Sequence, residues 1–303
     1  MSFSVRILGS GAAVPTLQRG TTSQYIQCQQ RHILIDCGEG TQLKLRKYKI
    51  KFQNIDIILI SHLHGDHILG LPGLISTMQL LGRTKPIIIV GPKGIKAFVM
   101  SLFAFTELKD IFSINFQELE QDTIGIVYED KCISIKTFPL KHRISTQGYR
   151  IDEKPGKRHL DKHAFDKTGV SVAYIHKLIS GEDIVDNNGV EVKYLDVTTP
   201  PNPTKSYAFC SDTAFHLPVV EHIKNVDLLY HEATFIDKES ERSTQTYHST
   251  AKQAATIALK ANAKRLVLGH FSSRYKDTNQ HLTEAKEIFD LVFAPNDGEI
   301  FNV

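Results

Sequence analysis

Apolar residues in the first part of the chain fall in short runs rich in Ile, Val and Leu, broken by Gly, Asn or Gln. Runs this short, bounded by turn formers, predict strands over residues 4–9, 22–28, 32–36 and 55–61. Between and after them apolar positions recur at helical spacing over 40–48, 71–81 and 94–105, while 86–90 returns to a buried-strand pattern. Further strands are expected over 114–119, 125–128 and 131–139, which carry the chain to His142. Alternation of this kind points to packed α/β layers.

The pattern breaks at about residue 151. Glu153-Lys154-Pro155-Gly156-Lys157-Arg158-His159 opens a polar, basic stretch and Thr199-Pro200-Pro201-Asn202-Pro203 closes it, so residues 151–203 read as an insertion. Strand pattern then resumes over 206–211, ending in Asp212, over 226–230, ending in His231-Glu232, and over 265–268, ending in Gly269-His270. Each of these strands delivers a potential ligand at its C-terminal end. An Ala-rich helix over 251–263 lies between the last two, with Ser249 or Thr250 as its N-cap.

Chemistry concentrates in Ser61-His62-Leu63-His64-Gly65-Asp66-His67, where four metal-binding side chains fall within six positions. Zinc takes imidazole nitrogen and carboxylate oxygen, and a catalytic zinc keeps a position open for water. Histidines two apart at a strand end, followed by a Gly65 turn and Asp66-His67, can aim side chains at two neighbouring points, more than one centre needs. Adding His142, Asp212 and His270 gives the set that two metals sharing one carboxylate require, with Asp212 in Cys210-Ser211-Asp212-Thr213 as the best bridge. Metals about 3.5–4 Å apart generate a hydroxide at neutral pH and hold the attacking oxygen and the reacting centre, so phosphodiester cleavage is a natural fit. Asp66 is then both a ligand and the partner of the attacking water, which it orients or deprotonates. The same donor types accept manganese or iron. Gly9-Ser10-Gly11, by contrast, lacks the third glycine and the acidic partner of a dinucleotide fingerprint, and a tight turn at the sheet edge explains it.

Composition narrows the class. At 303 residues, 41% hydrophobic and 23% charged, the chain is long and apolar enough for a sizeable core, which excludes disordered and fibrous classes. No apolar run reaches the roughly 20 residues of a membrane helix, and Met1-Ser2-Phe3-Ser4-Val5-Arg6 lacks a signal-peptide core, so the expected location is cytoplasmic, away from membranes. Cys28, Cys37, Cys132 and Cys210 form no CxxC pair, which argues for buried thiols over a zinc knuckle or disulfide framework. A net charge of +3 is too mild to announce a nucleic-acid binder, so any such reading rests on where the basic residues sit.

The HxHxDH core His62-Leu63-His64-Gly65-Asp66-His67, with His142, Asp212 and His270 downstream, resembles the metallo-β-lactamase superfamily. Over nearly its whole length the chain is similar to the short form of the ribonuclease Z family, endonucleases that process tRNA 3′ ends. The matching stretches are Leu8-Gly9-Ser10-Gly11 with Pro15-Thr16 and Arg19, Ile35-Asp36-Cys37-Gly38-Glu39-Gly40-Thr41-Gln42, and His231-Glu232-Ala233-Thr234-Phe235, the family's HEAT loop. HxHxDH identifies the superfamily; the HEAT loop, the insertion and the first motif together identify the branch. Gly20 stands where the family usually has Asn, and Gly169-Val170-Ser171 where its arm often has Gly-Pro.

That resemblance implies an α/β fold, a four-layer αββα sandwich in which residues 1–303 form a single domain with an inserted flexible arm at about 151–203. It implies two zinc ions per subunit, one held by His62, His64, His142 and Asp212, the other by Asp66, His67, Asp212 and His270. It pairs His248 with Glu232 and has the histidine donate a proton to the leaving 3′ oxygen, a role in keeping with a carboxylate that raises the imidazole pKa. It implies a homodimer whose arms grip precursor tRNA, with Lys154, Lys157, Arg158, Lys162 and Lys167, beside His159 and His163, supplying phosphate contacts. The expected activity is removal of 3′ trailers from precursor tRNA by hydrolysis, leaving a tRNA 3′-hydroxyl and a trailer 5′-phosphate. The rival is a small-molecule hydrolase of the same superfamily, either a cyclic nucleotide phosphodiesterase or a glyoxalase II-like thioesterase, against which the basic insertion and the HEAT loop weigh. A non-catalytic RNA-binding or scaffold role is set aside by the complete ligand set.

Overall fold

Residues 3–106 and 112–303 are described by the computed structural model, so Met1 and Ser2 of the N-terminal stretch lie outside the described residues. The chain forms two compact units: Met1–Glu129, Ile133–Asp152 and Lys205–Val303 make the first, Asp130–Cys132 and Glu153–Thr204 the second.

The first unit holds two mixed sheets of seven strands each. In chain order the strands are β1 (Phe3–Gly9), β2 (Ser23–Cys28), β3 (Arg31–Ile35), β4 (Ile57–Leu59), β5 (Ile87–Pro92), β6 (Ile114–Leu119), β7 (Gly125–Glu129), β8 (Ile133–Leu140), β9 (Thr146–Glu153), β10 (Ser206–Cys210), β11 (Leu228–Glu232), β12 (Leu266–Gly269), β13 (Val292–Phe293) and β14 (Ile300–Asn302). One sheet runs in the order β14-β1-β2-β3-β4-β5-β6, the other β13-β12-β11-β10-β9-β8-β7. β3 to β6 pair in parallel, as do β10 to β13. Parallel strands are buried on both faces and read as unbroken apolar runs. Ile57, Ile58 and Leu59 of β4 are accordingly all fully buried.

Buried tyrosines tie the sheets together. Tyr149 on β9 donates to the Ile60 carbonyl at 2.7 Å, and Tyr207 on β10 donates to the Gln24 side chain on β2. On the outer faces, helices Leu71–Leu80 and Ile95–Phe105 share a core with the first sheet, and Ala251–Lys260 shares one with the second. The Thr250 hydroxyl accepts from Gln253 N, whose side chain answers to the Thr250 N–H: a capping box, which decides between the two expected caps. The layers are therefore helix, sheet, sheet, helix, the αββα sandwich expected.

Two local expectations need correction. The strand expected over 226–230 runs instead over Leu228–Glu232, because partners buried around Glu232 let its carboxylate enter the sheet. β9 has no counterpart among the expected strands, since its sequence carries no clean alternation; Gly148 in it leaves the room filled by the Phe138 ring, 2.2 Å from where a Cβ would stand. Cys28, Cys37 and Cys210 are buried thiols, but Cys132 is only half-buried.

The second unit has its own small core of Phe165, Val170, Leu178, Ile184, Val192 and Val197. Asp161 caps its helix Lys162–Asp166 by accepting from Ala164 N at 3.0 Å. No helix among the described residues is long and apolar enough to cross a membrane.

Candidate metal centre

Five strands end at one place. β3 leads to Asp36, β4 to Ser61–His67, β10 to Asp212, β11 includes Glu232 and β12 leads to His270, while His142 follows β8. The carboxyl ends of parallel strands form the crevice where open α/β sheets place their chemistry. Asp36, Asp212 and His270 each turn off their strands with a left-handed backbone, φ 57°, 56° and 57°. Asp and His are among the few residues that adopt it readily, and such positions cluster at functional sites.

All seven metal-ligand candidates meet there. His62, His64, His142 and Asp212 form one group and Asp66, His67 and His270 another, the donor atoms of each group lying within 4.8 Å of one another. His62 Nε2 is 3.0 Å from His64 Nδ1, His142 Nε2 is 3.3 Å from the same atom, and Asp212 Oδ2 lies 3.5 Å from His62 Nε2. The other Asp212 oxygen faces the second group, 3.2 Å from His67 Nε2 and 3.1 Å from His270 Nε2. Asp66 Oδ2 completes that group at 3.4 Å from both histidines and accepts from Ala13 N at 2.8 Å.

The donor chemistry fits a cation. His67 Nδ1 bonds Asp36 Oδ2 at 2.7 Å, so its Nε2 is left as the atom that faces Asp212 and Asp66. That Nε2 is buried and makes no hydrogen bond. An imidazole lone pair aimed at two carboxylate oxygens is tenable only with positive charge between them, supplied by a metal or a proton. Burial opposes a charged His67, yet Asp212, Asp36 and Asp66 outweigh it and hold its pKa well above the usual histidine value. For Asp212 burial is likewise outweighed, by His270, His67 and His62, and its pKa lies well below the carboxylate range. Burial and His67 together push His62 down to about 3, which keeps it in the neutral form that ligates.

Behind the donors stand partners that the sequence pattern does not single out. Asp36 accepts from Ser61 N at 2.7 Å and Ser61 Oγ at 2.8 Å as well as pairing with His67; Ser61 Oγ also lies 3.0 Å from His62 Nδ1. Thr234 Oγ1 sits 2.9 Å from His270 Nδ1, and the Tyr247 carbonyl receives His142 Nδ1 at 3.0 Å. Such outer partners fix the tautomer and orientation of ligating histidines. Asp36 and Thr234 have one signal in the sequence, membership of the matching runs Ile35–Gln42 and His231–Phe235; Ser61 opens the ligand run, and Tyr247 has none.

Glu232 and His248 form a separate pair beside the donors. Glu232 Oε1 is 2.8 Å from His248 Nδ1 and accepts from Thr213 N at 2.7 Å; Oε2 accepts from Thr234 Oγ1 at 2.6 Å and Ser249 N at 3.1 Å. Burial opposes the His248 cation but Glu232 overrides it, raising its pKa to about 9, while burial of Glu232 is outweighed by His248 and its pKa falls to about 2. His248 also groups with Asp212 and His270 at ligand distance. A cavity of about 570 Å³ opens on the site, with His64, Asp66, His142, Asp212, His248 and His270 among its walls.

The five basic candidates lie in the second unit. Lys157, Lys162 and Lys167 are exposed and Lys154 is half-buried. Arg158 is engaged inside that unit: its Nε donates to Thr198 Oγ1 at 2.7 Å and its guanidinium lies 5.0 Å over the Tyr194 ring.

Two mixed sheets with a His/Asp cluster at their carboxyl ends define a hydrolase of metallo-β-lactamase fold, a class that works with divalent metal. A family model described as the anti-Pycsar protein Apyc1 matches residues 3–148. Ribonuclease Z of Parabacteroides distasonis is 43% identical over 296 residues, 98% of this chain and 97% of that protein. Ribonuclease Z of Cytophaga hutchinsonii is 40% identical over 304 residues, 100% of this chain and 97% of its own. Among solved structures, human tRNase Z, short form, superposes with a TM-score of 0.72 at 27% identity, covering 98% of each chain. The chain belongs to the ribonuclease Z family of endoribonucleases.

Proposed function

We propose that the chain removes 3′ trailers from precursor tRNA, cutting after the acceptor stem to leave a 3′-hydroxyl on the tRNA and a 5′-phosphate on the trailer, and that it does so in the cytoplasm as a homodimer. The observation that carries this reading is the bridging position of Asp212, one oxygen toward each donor group, with the Glu232–His248 pair beside it. His62, His64, His142 and Asp212 would hold one zinc ion, and Asp66, His67, Asp212 and His270 the other. When bound, a pair of divalent metals supplies a nucleophile derived from water and neutralises charge developing on the phosphate.

The protein's own groups do the rest. Asp66, fixed by the Ala13 N–H, orients the attacking water. His248, kept protonated by Glu232, gives its proton to the leaving 3′ oxygen. Asp36, Ser61 and Thr234 hold ligand rings in place from behind. Exposed Lys157, Lys162 and Lys167 in the second unit, with Lys154 beside them, meet phosphates of the tRNA body. Binding remote from the cut is used to position the scissile bond, so small diesters are poor substrates. The relatives named ribonuclease Z and tRNase Z support the choice of RNA substrate.

A small-molecule hydrolase of the same fold is the second reading, because the family model that matches residues 3–148 is described as Apyc1 and not as ribonuclease Z. That span stops short of Asp212, Glu232, His248 and His270. The test is to incubate a transcribed precursor tRNA with wild type and His64→Ala, map product ends, and measure bound metal. Cleavage at the acceptor-stem boundary by wild type, lost in the variant with part of its zinc, is expected; undiminished cleavage by His64→Ala refutes the metal assignment. Light scattering on the eluting protein reads the oligomeric state.

A further inference from the structure

One wall of the cavity carries two arginines that the reaction above does not use. Arg143 follows His142 directly, and its Nη2 donates to the Gln245 carbonyl at 3.1 Å while His142 Nδ1 meets the Tyr247 carbonyl at 3.0 Å. Both residues are thus fastened to the stretch that ends in His248, whose N–H donates to the Ser243 carbonyl at 2.8 Å. Arg242 lies on helix Ser240–Thr246 of the same stretch and lines the same cavity. Its guanidinium has no hydrogen-bond or ion-pair partner among the described residues.

Arg274, also at the cavity, differs from both. Its Nη1 is paired with Glu239 Oε2 at 3.1 Å and its guanidinium lies 5.1 Å over the Phe235 ring. Among the described residues the Arg143 guanidinium bonds only a neutral carbonyl and the Arg242 guanidinium bonds nothing, so their charges are left uncompensated at the cavity. A guanidinium presents a rigid fork of donors that matches phosphate oxygens two at a time.

We propose that Arg143 and Arg242 are positioning residues that hold the backbone phosphate immediately 5′ of the scissile one. This rests on the reading of the site as RNA-cutting with His248 as the acid. The side of the cut follows from the shared wall. His248 protonates the oxygen that leaves, and that oxygen belongs to the nucleotide 5′ of the cut. Arg242 lies on the segment leading to His248, and Arg143 adjoins His142, whose ring centroid is 5.1 Å from that of His248. The strand that departs past His248 therefore runs along the two arginines.

The experiment uses precursor tRNAs with a single uncharged methylphosphonate at the first linkage 5′ or the first linkage 3′ of the cut. Wild type is expected to lose about tenfold in kcat/KM with the 5′ replacement, the worth of a charged hydrogen bond, and much less with the 3′ one. The Arg143→Ala/Arg242→Ala double variant is expected to lose a similar factor on unmodified RNA, chiefly through KM, and to ignore the 5′ replacement. Its plot of log(kcat/KM) against log salt should be shallower by about 0.7–0.9 for each phosphate that is no longer neutralised. Arg143→Lys, which keeps the charge, should retain the wild-type salt slope and so separates a missing charge from a loosened tie to Gln245. If wild type cuts normally but the 5′ methylphosphonate costs the double variant as much as it costs wild type, the arginines do not hold that phosphate and the RNA-cutting reading stands. If wild type leaves precursor tRNA intact, that reading and this proposal fall together.

Discussion

Asp36 governs the second donor group without belonging to it. Its carboxylate is fully buried and takes three donors, Ser61 N, Ser61 Oγ and His67 Nδ1, so His67 can present only Nε2 to Asp66 and Asp212. Asp36→Ala should weaken metal binding about 10–100-fold, the usual cost of removing an outer partner, as read by chelator competition; unchanged affinity would show that His67 is oriented by packing alone. His248 gives a pH signature. Its pKa is raised from 6.5 to about 9, so the stabilisation from its pairing with Glu232 is fully present below 6.5 and is lost as pH rises through about 9. The proton it is proposed to give the leaving oxygen disappears over the same window. We expect kcat on precursor tRNA to fall above pH 9, that limb to move to lower pH in Glu232→Gln, and His248→Ala to lose about 10²–10⁴-fold in kcat together with the limb. A limb unmoved by Glu232→Gln would assign it to another group. The His and Asp cluster stands out in the sequence because ligand types are rare and dense there. Asp36 and Thr234 do not, because a residue that acts by orienting another has no composition of its own and becomes visible only when the ring it holds has a direction.

At the scale of elements, the strand ends are registered on one another by backbone hydrogen bonds. Cys37 N donates to the His67 carbonyl at 2.8 Å and Gly70 N to the Cys37 carbonyl at 2.9 Å, which laces the loop after β3 to the short helix Gly65–Ile68 that bears Asp66 and His67. Gly38 makes this approach feasible: a Cβ there would stand 2.3 Å from the Asp66 carbonyl oxygen and 2.2 Å from Thr21 Oγ1. Gly38→Ala must push the backbone of Asp66 away. It is expected to cost about 1–3 kcal/mol in thermal unfolding, as overpacking does, and to lower metal affinity as well. A destabilised variant with wild-type metal binding would show that the lacing serves the fold and not the site. Buried parallel strands such as β4 and the capped Ala-rich helix are legible in the sequence because their periodicity and cap are local. β9, β13 and β14 are not: the first has Gly148 and mixed burial, and the edge strands are two and three residues long, fixed by their neighbours and not by their own pattern.

For the whole molecule the question is what the second unit adds. Its boundaries are visible in the sequence as a shift to basic, Pro-rich composition, but its interior core of Phe165, Leu178 and Val197 is not, since those residues are scattered among polar ones and find each other only through the fold. Asp152 and Ser206 are register partners on β9 and β10, so the two ends of the insertion leave the sheet side by side. Facing antiparallel residues lie about 5 Å apart, a gap that a hairpin turn closes. Excising residues 154–204 behind such a turn should therefore leave both sheets, the seven His/Asp donors and the Glu232–His248 pair in place, because none of them belongs to the excised unit. If that unit supplies the phosphate contacts of a large RNA, the excised protein should keep its metal and its turnover of a small diester while kcat/KM on precursor tRNA falls on the order of 10²-fold, with a shallower salt dependence. Retention of full activity on precursor tRNA would locate substrate recognition in the first unit, at the cavity itself; loss of both activities with metal content preserved would mean that the insertion shapes the catalytic groups and not only the grip on RNA.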